Sequence, residues 1–422
     1  MSATAVPATA VPAKAAPAPH SPPTSRHWPP VIWALLAATF AVRACGFVYP
    51  YLSYRLTEVH MTSTAASTVL AAFGCGWLVG QILCGALADR IGRRGTFAAA
   101  MLLAAVAFPL LAQVHTPLAL TVAAAVSGAV YDAPRPVVAA VVADEIPTEA
   151  GRAKVNGWRH FATNVGAATT GAVGGALADP VGIPALFWVN GLMCAAMGLL
   201  GLRVIPRSGP ADAAQRGRHR DAFRDVRLWM LWLVSLLTLV PVAALFSTLP
   251  LMMARDQLSA ASYGWTQVSS AAAVLVLSPL LNPLLARRAG RGRPMVGPLA
   301  LSALVLGAGI GSAGLASTTV GYSAAAAAAV PGEIIAFVAA GDIVNRIAPP
   351  HSRATYAGIW GTTLAAAIMC APVLAGWSLA HGGPGLVALT TVSCGLLGAA
   401  GCLPLGLLLR QARAPQAFSP TS

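Results

Sequence analysis

Four ionisable residues lie where the surrounding sequence makes them costly. Arg43, Asp132, Arg135 and Glu333 each fall inside a long, predominantly apolar stretch. A charge at the centre of a bilayer costs from about 2.5 kcal/mol upward, so each such residue must face a polar partner or a water-filled space. Asp132 and Arg135 are three positions apart, which on a helix puts them on one face and lets them pair. Arg43 is a second candidate partner for Asp132. The two acids stand 201 residues apart, at positions 132 and 333. Desolvation favours the protonated form of a carboxylic acid. A carboxylate wetted from one face and then the other can therefore carry a proton between them. The expectation is that Asp132 and Glu333 respond to protons and cations, with Arg43 keeping Asp132 ionised until a proton or ligand competes. The other reading of Arg43, Asp132 and Arg135 is a structural polar network that locks two segments together.

The elements that hold these residues follow from composition. Of 422 residues, 57% are hydrophobic and 9% are charged, against roughly 25% charged in an average soluble domain. That is too little charge to cover two or three soluble domains. Backbone polar groups in hydrocarbon must pair within their own segment, so apolar runs of about 20 residues mean helices. Twelve spans are expected: 31–54, 64–87, 96–114, 117–142, 160–178, 184–204, 229–253, 264–286, 295–315, 319–344, 354–378 and 385–409. Twenty-two of the 27 Lys and Arg fall on one side of this arrangement, and only Arg55 and Arg255 on the other. Arg43, Arg135 and Arg159 lie within or at the edge of spans. The asymmetry predicts a multi-pass protein of the plasma (inner) membrane with both termini cytoplasmic.

Several classes are excluded by the same inventory. The basic charge belongs to short loops and not to a basic domain, so nucleic acid is not an expected partner. Lys14 and Lys154 are the only lysines, and no Gly-rich phosphate loop accompanies either, which excludes ATP drive within this chain. Seven scattered cysteines show no CxxC pair and no metal-ligand spacing, so neither a cofactor nor a metal is expected, and no catalytic constellation appears.

Three stretches recur at nearly one offset. "GALADRIGRRG" at 85–95 matches "PLLARRAGRGR" at 283–293, "RAKVNG" at 152–157 matches "RATYAG" at 353–358, and "YPYLSYR" at 49–55 weakly matches "LPLMMAR" at 249–255. A common offset near 200 at equivalent places in the helix order divides the chain into two parallel repeats. The expected units are a disordered Ala/Pro-rich tail (1–29), a six-helix bundle (30–204), an Arg-rich linker (205–228), a second six-helix bundle (229–410) and a short tail (411–422).

With these residues in place, the chain resembles the major facilitator superfamily. Gly85, Leu87, Asp89, Arg90, Gly92, Arg93 and Arg94 stand at the positions of its loop 2–3 signature. The resemblance implies an all-α membrane fold of twelve helices in two pseudo-symmetric bundles, with helices 1, 4, 7 and 10 lining a central cavity. It also implies a cytoplasmic gate: Asp89 at the start of helix 11, near Ser352, with Arg93 pairing to Asp144. Gly85 and Gly92 would allow a close helix approach and a tight turn. Within the superfamily the chain resembles the twelve-helix drug:proton antiporter branch. Gly166, Gly174 and Gly175 fit the helix 5 motif of that branch, while Thr170 and Gly171 replace its middle Gly and its Pro.

Read for their chemistry alone, Gly166, Gly171, Gly174 and Gly175 are helix-packing positions. Tyr49, Tyr51, Tyr54, Trp77, Tyr131 and Phe246 offer an aromatic lining, or packing and interface aromatics. Asn164 and Asn190 offer polar groups to the cavity or between helices. Asp342 is read as solvated. The function implied is proton-coupled efflux, by alternating access, of a small amphipathic or cationic compound by a monomer in the lipid bilayer. The alternatives are uptake or export of an anionic metabolite with Arg43 or Arg135 as counter-charge, and a non-transporting receptor or scaffold.

Overall fold

The computed structural model describes residues 28–207, 219–349 and 352–411. Most of both tails, the middle of the linker and the side chain of Asp89 lie outside the described residues. The chain is helical throughout that set: α1 (Pro30–Ala44), α2 (Val48–Glu58), α3 (Ser63–Ile91), α4 (Arg93–Gln113), α5 (Pro117–Tyr131), α6 (Arg135–Glu145), α7 (Glu149–Val181), α8 (Ile183–Val204), α9 (His219–Arg224), α10 (Val226–Ala244), α11 (Thr248–Arg255), α12 (Ala260–Ala289), α13 (Val296–Gly311), α14 (Thr319–Ile347) and α15 (Arg353–Gln411). Thr62, Thr148, Ser259 and Thr318 cap α3, α7, α12 and α14, each side chain accepting a backbone N–H of the first turn.

Nine helices among the described residues are long and apolar enough to cross a membrane. The physical spans are more numerous. At 59 residues α15 would be about 90 Å long if straight, three times the hydrocarbon thickness, and it bends at Gly383, whose φ is 64°. It is two spans joined by a turn. Helices α5 and α6 make one span interrupted at Asp132–Pro134, and α7 adds another whose first turns carry charge. Added to the remaining spans, these make up the twelve expected from the sequence.

The repeat is written into the backbone. The positive-φ residues among those described fall into three pairs: His60 with Gln257, Gly92 with Gly292, and Gly182 with Gly383, spaced 197, 200 and 201 residues apart. Each pair occupies the same helix-to-helix turn of its half. The first and seventh spans also break at matching places, between Ala44 and Val48 and between Ala244 and Thr248. One sequence pairing is corrected. Alignment of the repeats matches Gly92 to Gly290, yet Gly290 is right-handed helical (φ −63°) and Gly292 takes the left-handed turn. The second copy keeps its helix to Ala289 and turns two residues later.

The halves meet unevenly. Against each other pack α7 and α12, α3 and α15, and α2 and α11. Small residues allow the approach: a Cβ on Gly171 would stand 2.5 Å from Gln267 Cβ and 2.9 Å from the Gly264 carbonyl, one on Gly175 3.1 Å from Gly264 Cα, and one on Gly74 2.6 Å from Met369 Cα. Tyr54 donates to the Ser259 carbonyl (3.2 Å) and Ser53 to the Ser247 carbonyl (3.3 Å), and these are side-chain hydrogen bonds between the halves. All of these contacts lie toward the face opposite the arginine-rich loops. On the arginine-rich face a Cβ added at Gly85, Gly157, Gly358 or Gly361 would meet nothing within 4 Å. The close glycine contacts between the halves therefore concentrate toward one face.

Candidate functional site

The span breaks put charge at mid-membrane depth. Asp132 follows the last residue of α5 and is not itself helical (φ −131°, ψ 21°), because Pro134 and Pro136 prevent continuation of the ladder. Arg43 stands in the last turn of α1, just before that span breaks. Arg43 Nη2 reaches Asp132 Oδ2 at 3.2 Å, and Arg135 Nη2 pairs with the same oxygen. The Asp132 side chain retains 18% exposure. Thr170 on α7 donates its hydroxyl to the Arg43 carbonyl, which ties the end of α1 to α7. Gly166 admits Arg43 beside α7, a Cβ there falling 2.6 Å from Arg43 Cβ.

A third guanidinium belongs to this cluster. Arg159 on α7 interacts electrostatically with both Arg135 and Asp132. It hydrogen-bonds Asn156 Oδ1 at 3.3 Å, its Nε is buried without a hydrogen-bond partner, and among the described residues no carboxylate lies within salt-bridge distance of it. Sequence reasoning left Arg159 at the edge of a span. The signal was present: it is a third arginine beside apolar sequence, on a helix glycine-rich enough to pack against α1.

An aromatic cluster adjoins the charges. Tyr49 stacks on Phe73 (5.0 Å between centroids) and neighbours Trp77 (5.8 Å), Tyr131 (6.0 Å) and Phe246 (6.2 Å). Tyr131 meets Trp77 edge-on at 5.0 Å, and the Arg43 guanidinium sits 5.8 Å from its centroid. The rings come from α2, α3, α5 and the α10–α11 break, so both halves contribute. Tyr49 and Trp77 are 2% and 4% exposed, yet Trp77 Nε1 has no hydrogen-bond partner among the described residues. Of the expected lining residues the structure thus unites Tyr49, Trp77, Tyr131 and Phe246, adds the unexpected Phe73, and sends Tyr51 and Tyr54 to the face of the close glycine contacts, where both rings meet Tyr263. Asn164 is not part of it: its amide bonds His160 one turn earlier on its own helix. Asn190 works between helices, its Oδ1 accepting the Val48 N–H at 3.2 Å.

Glu333 presents the contrast. It lies partly buried within α14, which continues unbroken through Pro331, and has no hydrogen-bond or ion-pair partner among the described residues. The structure gives no contact between Glu333 and Asp132. The four expected residues therefore divide into a neutralised trio and a solitary acid.

At the arginine-rich face Arg93 pairs with Asp144 and donates to the Ala140 carbonyl at 3.3 Å. Gly92 supplies the turn with φ 81°. Gly85 meets nothing in this conformation, so the close helix approach expected of it is not made here. The solvated role expected of Asp342 is corrected. Its carboxylate accepts from Arg346 Nε (2.8 Å) and from the Met295 N–H (3.3 Å), while Arg346 caps the Ala289 and Gly292 carbonyls at 2.7 and 3.1 Å. Asp144 and Asp342 are 198 residues apart and do the same work. In the first half the arginine opens the following helix, α4, and in the second it lies one turn further along α14 itself.

Comparison with known proteins gives the arrangement its context. The profile of the Major Facilitator Superfamily matches residues 32–368. No curated protein matches the sequence significantly. Among solved structures, a POT family transporter in complex with a thioalcohol-conjugated peptide superposes with a TM-score of 0.73 at 12% identity, over 91% of this chain and 96% of that one. A POT family transporter bound to 5-aminolevulinic acid gives 0.70 at 13% identity over 91% and 96%, and the peptide transporter POT with sulfate gives 0.71 at 16% identity over 91% and 95%.

Proposed function

The chain belongs to the major facilitator superfamily and is a membrane transporter, not an enzyme, and from that premise we propose that it couples proton movement to export of a small amphipathic compound. The units 30–204 and 229–410 rock about the mid-membrane site, joined by the linker 205–228. The protein sits as a monomer in the inner membrane with its arginine-rich face cytoplasmic, as the charge asymmetry asks. A conformer open on that face loads cargo from the cytoplasm. Affinity with the drug:proton antiporter branch draws support from Gly166, Gly174 and Gly175.

One observation carries the proton assignment. Asp132 is held by two guanidiniums, whereas Glu333, at the equivalent place in the other half, has no partner among the described residues. An acid without a counter-charge in a low-dielectric setting is the group whose charge is easiest to remove and restore. Glu333 takes a proton when wetted from one face and gives it up to the other, and Asp132 anchors Arg43 and Arg135.

The test uses an efflux-deficient host expressing the protein and a panel of dyes and drugs. The expected result is lowered accumulation of at least one compound, reversed when the proton gradient is collapsed and abolished by Glu333→Gln. Export that survives loss of the gradient overturns proton coupling, and full export by Glu333→Gln overturns the role of that acid.

A further inference from the structure

We propose that the cargo is a small organic anion with an aromatic or apolar body, its acidic group met by Arg159 beside Arg43 and Arg135, and its body lying against Tyr131, Trp77 and Phe246. This rests on the transporter reading above and names the cargo class of the same site. The first support is charge. Two guanidiniums pair with one carboxylate through a single oxygen, Asp132 Oδ2, and a third, that of Arg159, interacts with it electrostatically. Asp132 is already satisfied and is unavailable to a cationic cargo. Arg159 keeps a buried Nε without a partner. Surplus positive charge at membrane depth is unfavourable unless an anion joins it, and a guanidinium offers a planar fork suited to a carboxylate.

The second support is independent of charge. Tyr131 lies within 5.0 Å of the Trp77 ring and 5.8 Å of the Arg43 guanidinium, so apolar wall and cationic group share one residue. Buried polar atoms are almost always paired, by protein, water or ligand. Trp77 Nε1 is a buried polar atom in that wall without a partner among the described residues. Its N–H is left to donate to a polar substituent on a bound aromatic body. The arrangement therefore selects for a negative head and a flat apolar body with a hydrogen-bond acceptor.

Three probes of one shape and different charge decide the matter: 2-naphthoate, 2-naphthamide and 2-naphthylmethylamine, added to purified protein in nanodiscs. Binding is read by thermal stabilisation and by quenching of tryptophan fluorescence. The expected order places the carboxylate first by about tenfold or more. Arg159→Gln should remove that preference while leaving the melting temperature of the unliganded protein unchanged, and Arg159→Lys should restore part of it. Ammonium bound as tightly as carboxylate, no binding of any probe, or full naphthoate affinity in Arg159→Gln would each overturn the proposal. Proton-dependent export of some other compound, with no naphthoate binding, would reject the cargo class and leave the transporter reading standing. Naphthoate binding without proton-dependent export of anything would do the reverse.

Discussion

At the scale of single residues, the decisive contrast is between a carboxylate with too many partners and one with none. Asp132 accepts from Arg43 and Arg135 through one oxygen. Removing its charge leaves two guanidiniums facing one another across an uncharged amide, with Arg159 adding a third like charge nearby. Breaking a buried pair from one side costs more than the pair contributes, because the stranded charge stays desolvated. Residual exposure of the cluster moderates this. Asp132→Asn is therefore expected to lower stability by about 1–3 kcal/mol, seen as a lower melting temperature in detergent. Adding Arg43→Gln should recover part of the loss by removing one stranded cation. A single variant as stable as the native protein would mean that water and not Asp132 satisfies the arginines. The Asp132–Arg135 contact was legible from the three-residue spacing, and the Arg43 contact from the need of each buried charge for a partner. Arg159 was legible only as a further arginine beside apolar sequence, because its membership depends on the rotation of α7 against α1, and that rotation is set by the close fit of Gly166 to Arg43 and by the Thr170 bond.

At the scale of elements, helix ends tie the second half together near the arginine-rich face. Asp225 caps α10, accepting the Arg227 backbone N–H at 2.9 Å and a bidentate contact from its guanidinium at 3.0 and 2.8 Å. The Tyr356 hydroxyl, on the first turns of α15, donates to Asp225 Oδ2 at 2.9 Å. Burial opposes the charge on this carboxylate, but the hydrogen bonds from Arg227 and Tyr356 outweigh it and hold the pKa below its ordinary value of 3.8. A depressed folded-state pKa gives stability that is whole above the ordinary value and is lost as pH falls through the depressed one. Melting curves of the native protein and of Asp225→Asn should thus keep a constant separation from pH 7 to about 4 and converge below it. A separation unchanged down to about pH 3 would show that the ionised carboxylate does not hold α10 to α15. The spans themselves were legible because hydrocarbon admits few alternatives to a helix. The aromatic cluster was not: its rings come from α2, α3, α5 and the α10–α11 break, and nothing local in any of them says that they converge.

At the scale of the whole molecule, the sequence encodes a symmetric object and the structure shows an asymmetric state of it. Paired left-handed turns about 200 residues apart make the two halves alike, while the close glycine contacts between them concentrate toward one membrane face. Which face closes cannot be read from a repeat, since the glycines serving both conformations are present together in the chain. They separate by contact. Gly171 and Gly175 on α7 fit against Gly264 on α12, and Gly74 fits against the Met369 backbone, whereas Gly85 on α3 and Gly358 and Gly361 on α15 meet nothing. The unused set is where the helices must approach when the molecule opens the other way. A β-branched residue should then act oppositely at the two ends. Gly171→Val pries apart the face of the close contacts, and Gly85→Val blocks close approach at the other. Both should abolish transport in a folded protein. In a background with the seven native cysteines replaced, a reporter Ser53→Cys, fully buried between the halves, distinguishes them. A membrane-impermeant maleimide applied from the face opposite the arginine-rich loops should label the reporter readily in Gly171→Val. In Gly85→Val it should leave the reporter protected even under an imposed proton gradient. Equal labelling in the two variants would mean that these glycines merely pack helices and that no rocking motion passes through them.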